Sequence, residues 1–315
     1  MSTDRRTVGD VRWGIAIPQF VDRVFDPAAF RSYLARADAL GFDSAWTLEQ
    51  PLGTAGLLSP LETMTYAAAC TDRLRLGCVV FVSPLHQPVH LAKAISSLDQ
   101  LSGGRIDIGV GLGGRNRPFT AFGIDPKGLV ARFNEGIHVM KLLWSEATVT
   151  FDGRFWQLEN AAIAPKPIQA PHPPLWFGGS APAAVQRAVR SGNGFFGAGS
   201  STTTAFAEQV SVVRRALDEM HRDQRSFPIA KRVYIAVEDD AEQARQRLNA
   251  GLIKVYGPDL GPRLEPVGVS GPPDACLRGL QEVADAGAEL ILLNPLYDQP
   301  RQMERLAAEV MPRLS

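Results

Sequence analysis

The 315-residue chain carries 33 Lys+Arg against 33 Asp+Glu, and its residues are 45% hydrophobic and 21% charged. Such a balance excludes a disordered chain and supplies no basic surplus to neutralise a phosphate backbone, so a nucleic-acid partner is not expected. The first twelve residues lack an apolar core, and no uninterrupted apolar run is long enough to cross a bilayer, which predicts a cytoplasmic chain without a membrane partner.

Cys70, Cys78 and Cys276 are odd in number and far apart, which argues against a disulfide framework or a zinc site. Zero net charge gives weak colloidal repulsion and is compatible with a homodimer.

In chain order, strand and helix alternate. Val11–Pro18 reads as a buried strand; Asp26-Pro27 then caps a helix that Gly41 stops. Strands follow at Asp43–Leu48 and Leu74–Val82, with helices opening near Pro60 and at Pro88. A fourth strand, Arg105–Gly111, leads into a long loop, Leu112–Ala131, and a helix from about Arg132. Val149–Leu158 reads as a hairpin turning at Asp152-Gly153, an insertion in the rhythm. Pro165–Pro174 is a stiff connector that resembles a domain linker, yet the alternation resumes at once beyond it.

Strand five is Leu175–Gly178 with a helix over Ala181–Ser191; strand six is Gly194–Ala198 with a helix over Ala205–Met220. Strand seven is Arg232–Val237 with a helix over Ala241–Ala250. Gly251–Pro273 reads as a second mobile loop, and Asp274 caps the next helix. Glu289–Leu293 is strand eight, and Met303, Leu306 and Val310 line a closing helix. Eight strands each followed by a helix predict an α/β fold, a (β/α)8 TIM barrel with loop and hairpin insertions, as a single domain over residues 1–315; an open doubly wound sheet is the rival.

A barrel carries its chemistry on the loops leaving the C-terminal strand ends. Gly109, Gly111 and Gly114 spell G-x-G-x-x-G, but Arg115-Asn116-Arg117-Pro118 is a poor helix opening, so a Rossmann fingerprint is rejected. Gly111 and Gly113 either permit a tight turn or let a cofactor approach. Gly178-Gly179-Ser180 opens a helix; it is either an ordinary turn capped by Ser180 or a phosphate cradle.

Glu49 and His86 stand just past strand ends, where a proton donor or substrate clamp belongs. The histidines do not read as a metal set, and neither G-x-S-x-G nor a P-loop is present. Trp46, Phe81, Trp176, Phe195 and Phe196 either wall a flat aromatic cofactor or pack the core.

An ordered series of segments resembles the bacterial luciferase-like oxidoreductases, a superfamily of flavin and deazaflavin enzymes. It comprises Leu40–Trp46, Arg73–Gly77, Pro88–Lys93, Ser97–Gly111, Ala121–Gly123, Arg132–Glu135, Val149–Phe155 and Pro171–Gly179. The resemblance implies a TIM barrel that binds coenzyme F420 or FMN. It also implies a bulge with a non-prolyl cis peptide within Val79–Val82, placing Val79, Val80 and Phe81 under the ring, and a phosphate site at Gly178, Gly179 and Ser180.

Where relatives often carry an Asp-His pair after strand two, this chain has Glu49-Gln50. Where many have an acidic residue after strand four, it has Arg115-Asn116-Arg117, of which Arg115 or Arg117 either holds an anionic cofactor tail or substrate or is a solvated loop arginine. The expected function is F420-dependent hydride transfer to or from a small organic substrate. The alternatives are an FMN-dependent monooxygenase served by a separate flavin reductase, and a non-catalytic flavin-binding protein.

Overall fold

The structure is a computed structural model describing residues 11–113 and 119–314. Its strands are β1 (Arg12–Ala16), β2 (Ser44–Thr47), β3 (Arg75–Val82), β4 (Ile106–Gly111), β5 (Val149–Asp152), β6 (Gln157–Ala161), β7 (Leu175–Gly178), β8 (Gly194–Gly197), β9 (Ile229–Val237), β10 (Val269–Gly271) and β11 (Leu290–Asn294). The helices are α1 (Pro27–Ala39), α2 (Pro60–Ala68), α3 (Pro88–Ser102), α4 (Leu129–Ser145), α5 (Pro182–Ser191), α6 (Thr203–Glu219), α7 (Ala241–Tyr256), α8 (Gly261–Leu264), α9 (Pro273–Asp285) and α10 (Gln299–Arg305).

The main sheet has hydrogen-bonded order β10-β9-β11-β1-β2-β3-β4-β7-β8, and β8 pairs back onto β9. Without β10, an addition on β9, the strands form a closed 8-strand parallel barrel with surrounding helices. The expected TIM barrel is therefore observed.

Two compact units compose it. Of the described residues, one comprises 11–18, Asp26–Trp46 and 179–314; the other comprises Gln19–Phe25, 47–113 and 119–178. In the first unit, Asp26 caps α1 by accepting from the Ala28 and Ala29 amides at 2.9 and 3.0 Å, and Gly41 leaves the helix with φ +85°. In the second, β4 is buried along its whole length, as a parallel strand covered on both faces must be.

The connector before β7 is fastened within the second unit. Asp99 of α3, fully buried, accepts from the Ile168 and Gln169 amides at 2.6 and 2.9 Å and from the Gln169 side chain at 2.8 Å.

Four local expectations are corrected. Gly251–Pro273 is not a loop: α7 runs through Gly251 to Tyr256, followed by α8, a 3-10 turn and β10. The position inside that helix needs glycine because a Cβ there would lie 2.5 Å from the Leu296 Cβ. The hairpin does not reverse at Asp152-Gly153 alone; the Gly153 amide bonds the Trp156 carbonyl at 3.0 Å, giving a wider turn. Ser180 does not cap α5, whose N-cap is Ala181 without a side-chain bond. Asp274 lies in the first turn of α9, and the N-cap is Pro272.

Candidate active site

In the second unit the C-terminal tip of β3 departs from regular strand geometry. Its pairing with β4 shifts register between Cys78 and Phe81, and the Val79-Val80 peptide is cis, inside the stretch where the resemblance places such a bond. The residues just before the bulge are buried, whereas Val79 and Val80 are half-buried, so the irregularity presents two apolar side chains at a strand end.

Beside them β4 is bare. A Cβ on Gly109 would lie 2.1 Å from the Cys78 carbonyl oxygen, and one on Gly111 2.8 Å from Val80 Cγ2 and 3.8 Å from the Gly178 oxygen. The absent side chains let the bulge close onto β4 and keep the strand end flat. Val80, Gly111 and Gly178 thus converge on an apolar, glycine-bordered ledge.

Glu49 and His86 meet at the same strand end. Glu49 is buried, at 7% exposure. One carboxylate oxygen accepts from the Val82 amide at 2.5 Å, and the other lies 2.8 Å from His86 Nε2. An acceptor-only carboxylate fixes the imidazole as the Nε2–H tautomer and leaves Nδ1 as the second nitrogen. The His86 side chain is 25% exposed, so it is the member of the pair that reaches solvent. Phe81 stands edge-on to the imidazole at 5.9 Å, and the His86 amide donates to the Ser83 carbonyl at 3.1 Å, closing a short 3-10 turn over Ser83–Leu85.

Sequence reasoning missed the residue that holds the Glu49 loop. Gln19, buried at 2%, accepts from the Leu48 amide at 2.7 Å and donates to the Leu48 and Leu58 carbonyls at 3.1 and 2.9 Å. A polar residue directly after Pro18, at the end of strand one, was the available signal.

In the first unit, Trp46 is 2% exposed. Its indole N–H donates to Ser44 Oγ at 2.8 Å, and its ring meets Phe196 edge-on at 5.0 Å. Gly14 is bare beneath it, since a Cβ there would come 3.0 Å from the indole nitrogen. Trp46 thus packs into the interior of its surroundings. Gly179 has φ +157°, and a Cβ on it would lie 2.7 Å from the Ala184 Cβ, so the bare backbone lets the first turn of α5 close against it. Ser180 is exposed at the positive end of that helix.

Farther along this unit, Arg232 Nη2 donates to the Tyr234 and Tyr256 hydroxyls at 2.6 and 3.0 Å. Because Phe196 pairs with Ala230, strand alternation places Arg232 and Tyr234 on the face that carries Phe196. Lys231, on the opposite face, donates to the Ala198 carbonyl and to the Ser201 carbonyl at 2.8 Å; burial pushes its pKa down to about 7.

Glu49, His86, Val79, Val80, Phe81, Gly111 and Gly178 thus belong to one unit, and Trp46, Gly179 and Ser180 to the other. Gly113 follows β4 with φ +74°. Arg115 and Arg117 lie outside the described residues. Among the described residues no group of His, Cys, Asp and Glu is placed to hold a metal ion, and no helix is long and apolar enough to cross a membrane.

The family model described as luciferase-like monooxygenase matches residues 11–309. The F420-dependent glucose-6-phosphate dehydrogenase of Kineococcus radiotolerans is 27% identical over 92% of this chain and 94% of that protein. The FMNH(2)-dependent dimethylsulfone monooxygenase of Pseudomonas putida is 28% identical over 76% and 66%. An uncharacterized protein y4vJ of Sinorhizobium fredii is 32% identical over 51% of the chain, and the match spans about half, 46%, of that relative.

Among solved structures, monooxygenase RslO1 from Streptomyces bottropensis aligns with TM-score 0.83 at 23% identity over 96% of this chain and 100% of that one. An F420-dependent secondary alcohol dehydrogenase in complex with an F420-acetone adduct aligns with TM-score 0.84 at 18% identity over 97% and 99%. At those identities the structural likenesses bear on the fold alone.

Proposed function

This chain belongs to the luciferase-like monooxygenase family, whose similar members are oxidoreductases using F420 or FMN, and from that membership we propose that it is an F420-dependent oxidoreductase moving a hydride between the deazaflavin and a small organic substrate. The observation that carries the proposal is the Glu49–His86 pair, bonded onto the Val82 amide, two peptides past the cis bond of β3. It sets an acid–base group against Phe81 and Val82 of the strand end that also carries Val79 and Val80.

When bound, the deazaflavin supplies the hydride donor or acceptor carbon at ring position C5. The chain would do the rest. Val79 and Val80 would support the ring face, bare Gly111 would leave room at its edge, and Gly178, Gly179 and Ser180 would hold the phosphate at the α5 N-terminus.

A hydride leaving or reaching a carbon requires a proton to leave or reach the neighbouring heteroatom. We assign that proton to His86 Nδ1. Glu49 keeps the opposite nitrogen protonated and stabilises the imidazolium, acting as a positioning residue with both oxygens engaged. Both cofactor classes occur among the relatives, the F420-dependent one matching 92% of the chain and the FMNH(2)-dependent one 76%.

Separate titrations of the purified protein with F420 and FMN test the cofactor. Micromolar F420 binding is expected, and tight binding of FMN alone overturns the assignment. Turnover is expected to proceed without oxygen; strict oxygen dependence would favour an FMN-dependent monooxygenase that needs a reductase partner. Family membership weighs against a non-catalytic flavin-binding role.

A further inference from the structure

The inserted hairpin, β5–β6, has no part in the barrel sheet, yet its turn is bound with unusual completeness. Glu135 of α4 accepts from three successive turn amides: Arg154 at 3.1 Å, Phe155 at 2.7 Å and Trp156 at 3.0 Å. A carboxylate filling a nest of amides is a charge-assisted anchor, stronger than an ordinary turn bond. One helical residue later, Gly136 gives the Trp156 indole its seat: a Cβ there would lie 3.2 Å from the indole ring. Anchor and seat hold the indole against α4.

On that indole lies Arg132. Its guanidinium is 4.6 Å from the Trp156 ring centroid and 5.7 Å from that of Phe155. Planar and weakly hydrated, a guanidinium stacks in this way where an ammonium would stay in water. So held, Arg132 turns Nε to the Pro84 carbonyl at 3.5 Å, and Pro84 sits in the 3-10 turn that delivers His86. A second tie is apolar: Leu129 of α4 and Leu85 of that turn pack on the cluster of Val82, Phe119 and Ile124. Val82 is also the residue whose amide Glu49 holds.

We infer that Arg132 is a positioning residue, and that the hairpin braces the Ser83–His86 turn through it, so that the Glu49–His86 pair keeps its geometry. The inference rests on the acid–base role given to His86 above. The ties run in sequence from Glu135 to the turn amides, from Trp156 to Arg132, and from Arg132 to Pro84. All of these residues belong to one compact unit.

Hydrogen exchange by mass spectrometry on the full chain tests the brace without any substrate. Arg132→Met is expected to speed exchange in peptides over 80–91 about tenfold while peptides over β4 and β7 keep their wild-type rates. Arg132→Lys, which retains a cation and a donor but not the planar face that stacks on the indole, is expected to restore only a small part of that protection.

Glu135→Gln, should Arg132→Met fold poorly, is expected to loosen the 80–91 segment and the 153–157 turn together. Rates over 80–91 within about twofold of wild type in both variants, or uniform acceleration across every peptide, overturn the brace. Loss of the proton role reads differently: His86→Asn turning over at the wild-type rate would remove that role and leave the exchange pattern intact.

Discussion

Replacing Glu49 with glutamine removes one charge and changes almost no volume. The carboxylate accepts two hydrogen bonds, from the Val82 amide at 2.5 Å and from His86 Nε2 at 2.8 Å, at 7% exposure. Bonds to a charged group are worth about 1.5–3 kcal/mol each, and roughly half of that when both partners are neutral. The amide oxygen of glutamine can still serve Val82, but its NH2 then faces an Nε2–H. Imidazole relieves the conflict only by moving its proton to Nδ1, the nitrogen assigned to the substrate.

Glu49→Gln should therefore cost about 2–3 kcal/mol of stability and lower turnover by about a hundredfold, in the range for misplacing a general acid–base group. Urea denaturation followed by circular dichroism measures the first, and steady-state kinetics the second. The 15N shifts of His86 report the tautomer. A stability change under about 0.5 kcal/mol with Nε2–H retained would refute the reasoning.

The two bare glycines of β4 should respond differently. Gly109→Ala drives a methyl to 2.1 Å from a backbone carbonyl, so a loss of about 3 kcal/mol or failure to fold is expected in thermal melts. Gly111→Ala is crowded by the Val80 side chain at 2.8 Å, with the Gly178 oxygen at an ordinary 3.8 Å, and a side chain can rotate; the fold should survive while F420 affinity falls about tenfold in a fluorescence titration.

Lys231 supplies a pH dependence. Burial lowers its folded pKa from 10.5 to about 7, so its contribution is fully present above the unfolded value and is lost as pH falls toward the folded one. Relative to Lys231→Met, the wild type should gain roughly 1–2 kcal/mol between about pH 7 and pH 9. Equal urea midpoint shifts in both proteins would count against it. Removing the Ser180 hydroxyl (Ser180→Ala) should weaken F420 binding by a few-fold and leave binding of its phosphate-free fragment unchanged, checked by paired titrations.

Most strands were legible because each is short, apolar and bounded by glycine or proline: Leu175–Gly178 is observed with the limits read from the residues. Helix starts marked by Asp26-Pro27 and Pro88 were equally plain. What failed had a tertiary cause. Gly251 looked like a loop residue because its lack of a side chain answers to Leu296, a partner distant in sequence. The hairpin turn was misread because Glu135, not the turn's own residues, satisfies its amides.

At the site, strand-end logic located Glu49 and His86 separately. Their 2.8 Å pairing spans 37 positions and no spacing rule reveals it. Trp46 was legible as an aromatic near a strand end; that it fills the interior against Phe196 depends on a contact across strands.

The proline-rich stretch before β7 invites dissection, since it has the composition of a hinge between separable pieces. Asp99 makes it a strut instead. Severing the chain there, or lengthening it by an inserted sequence, would strip a carboxylate with no solvent access of the three donors that Ile168 and Gln169 supply. An isolated buried anion is costly. Proteases should accordingly leave this stretch intact in the native protein, and trimmed versions ending within it should be recovered as aggregates.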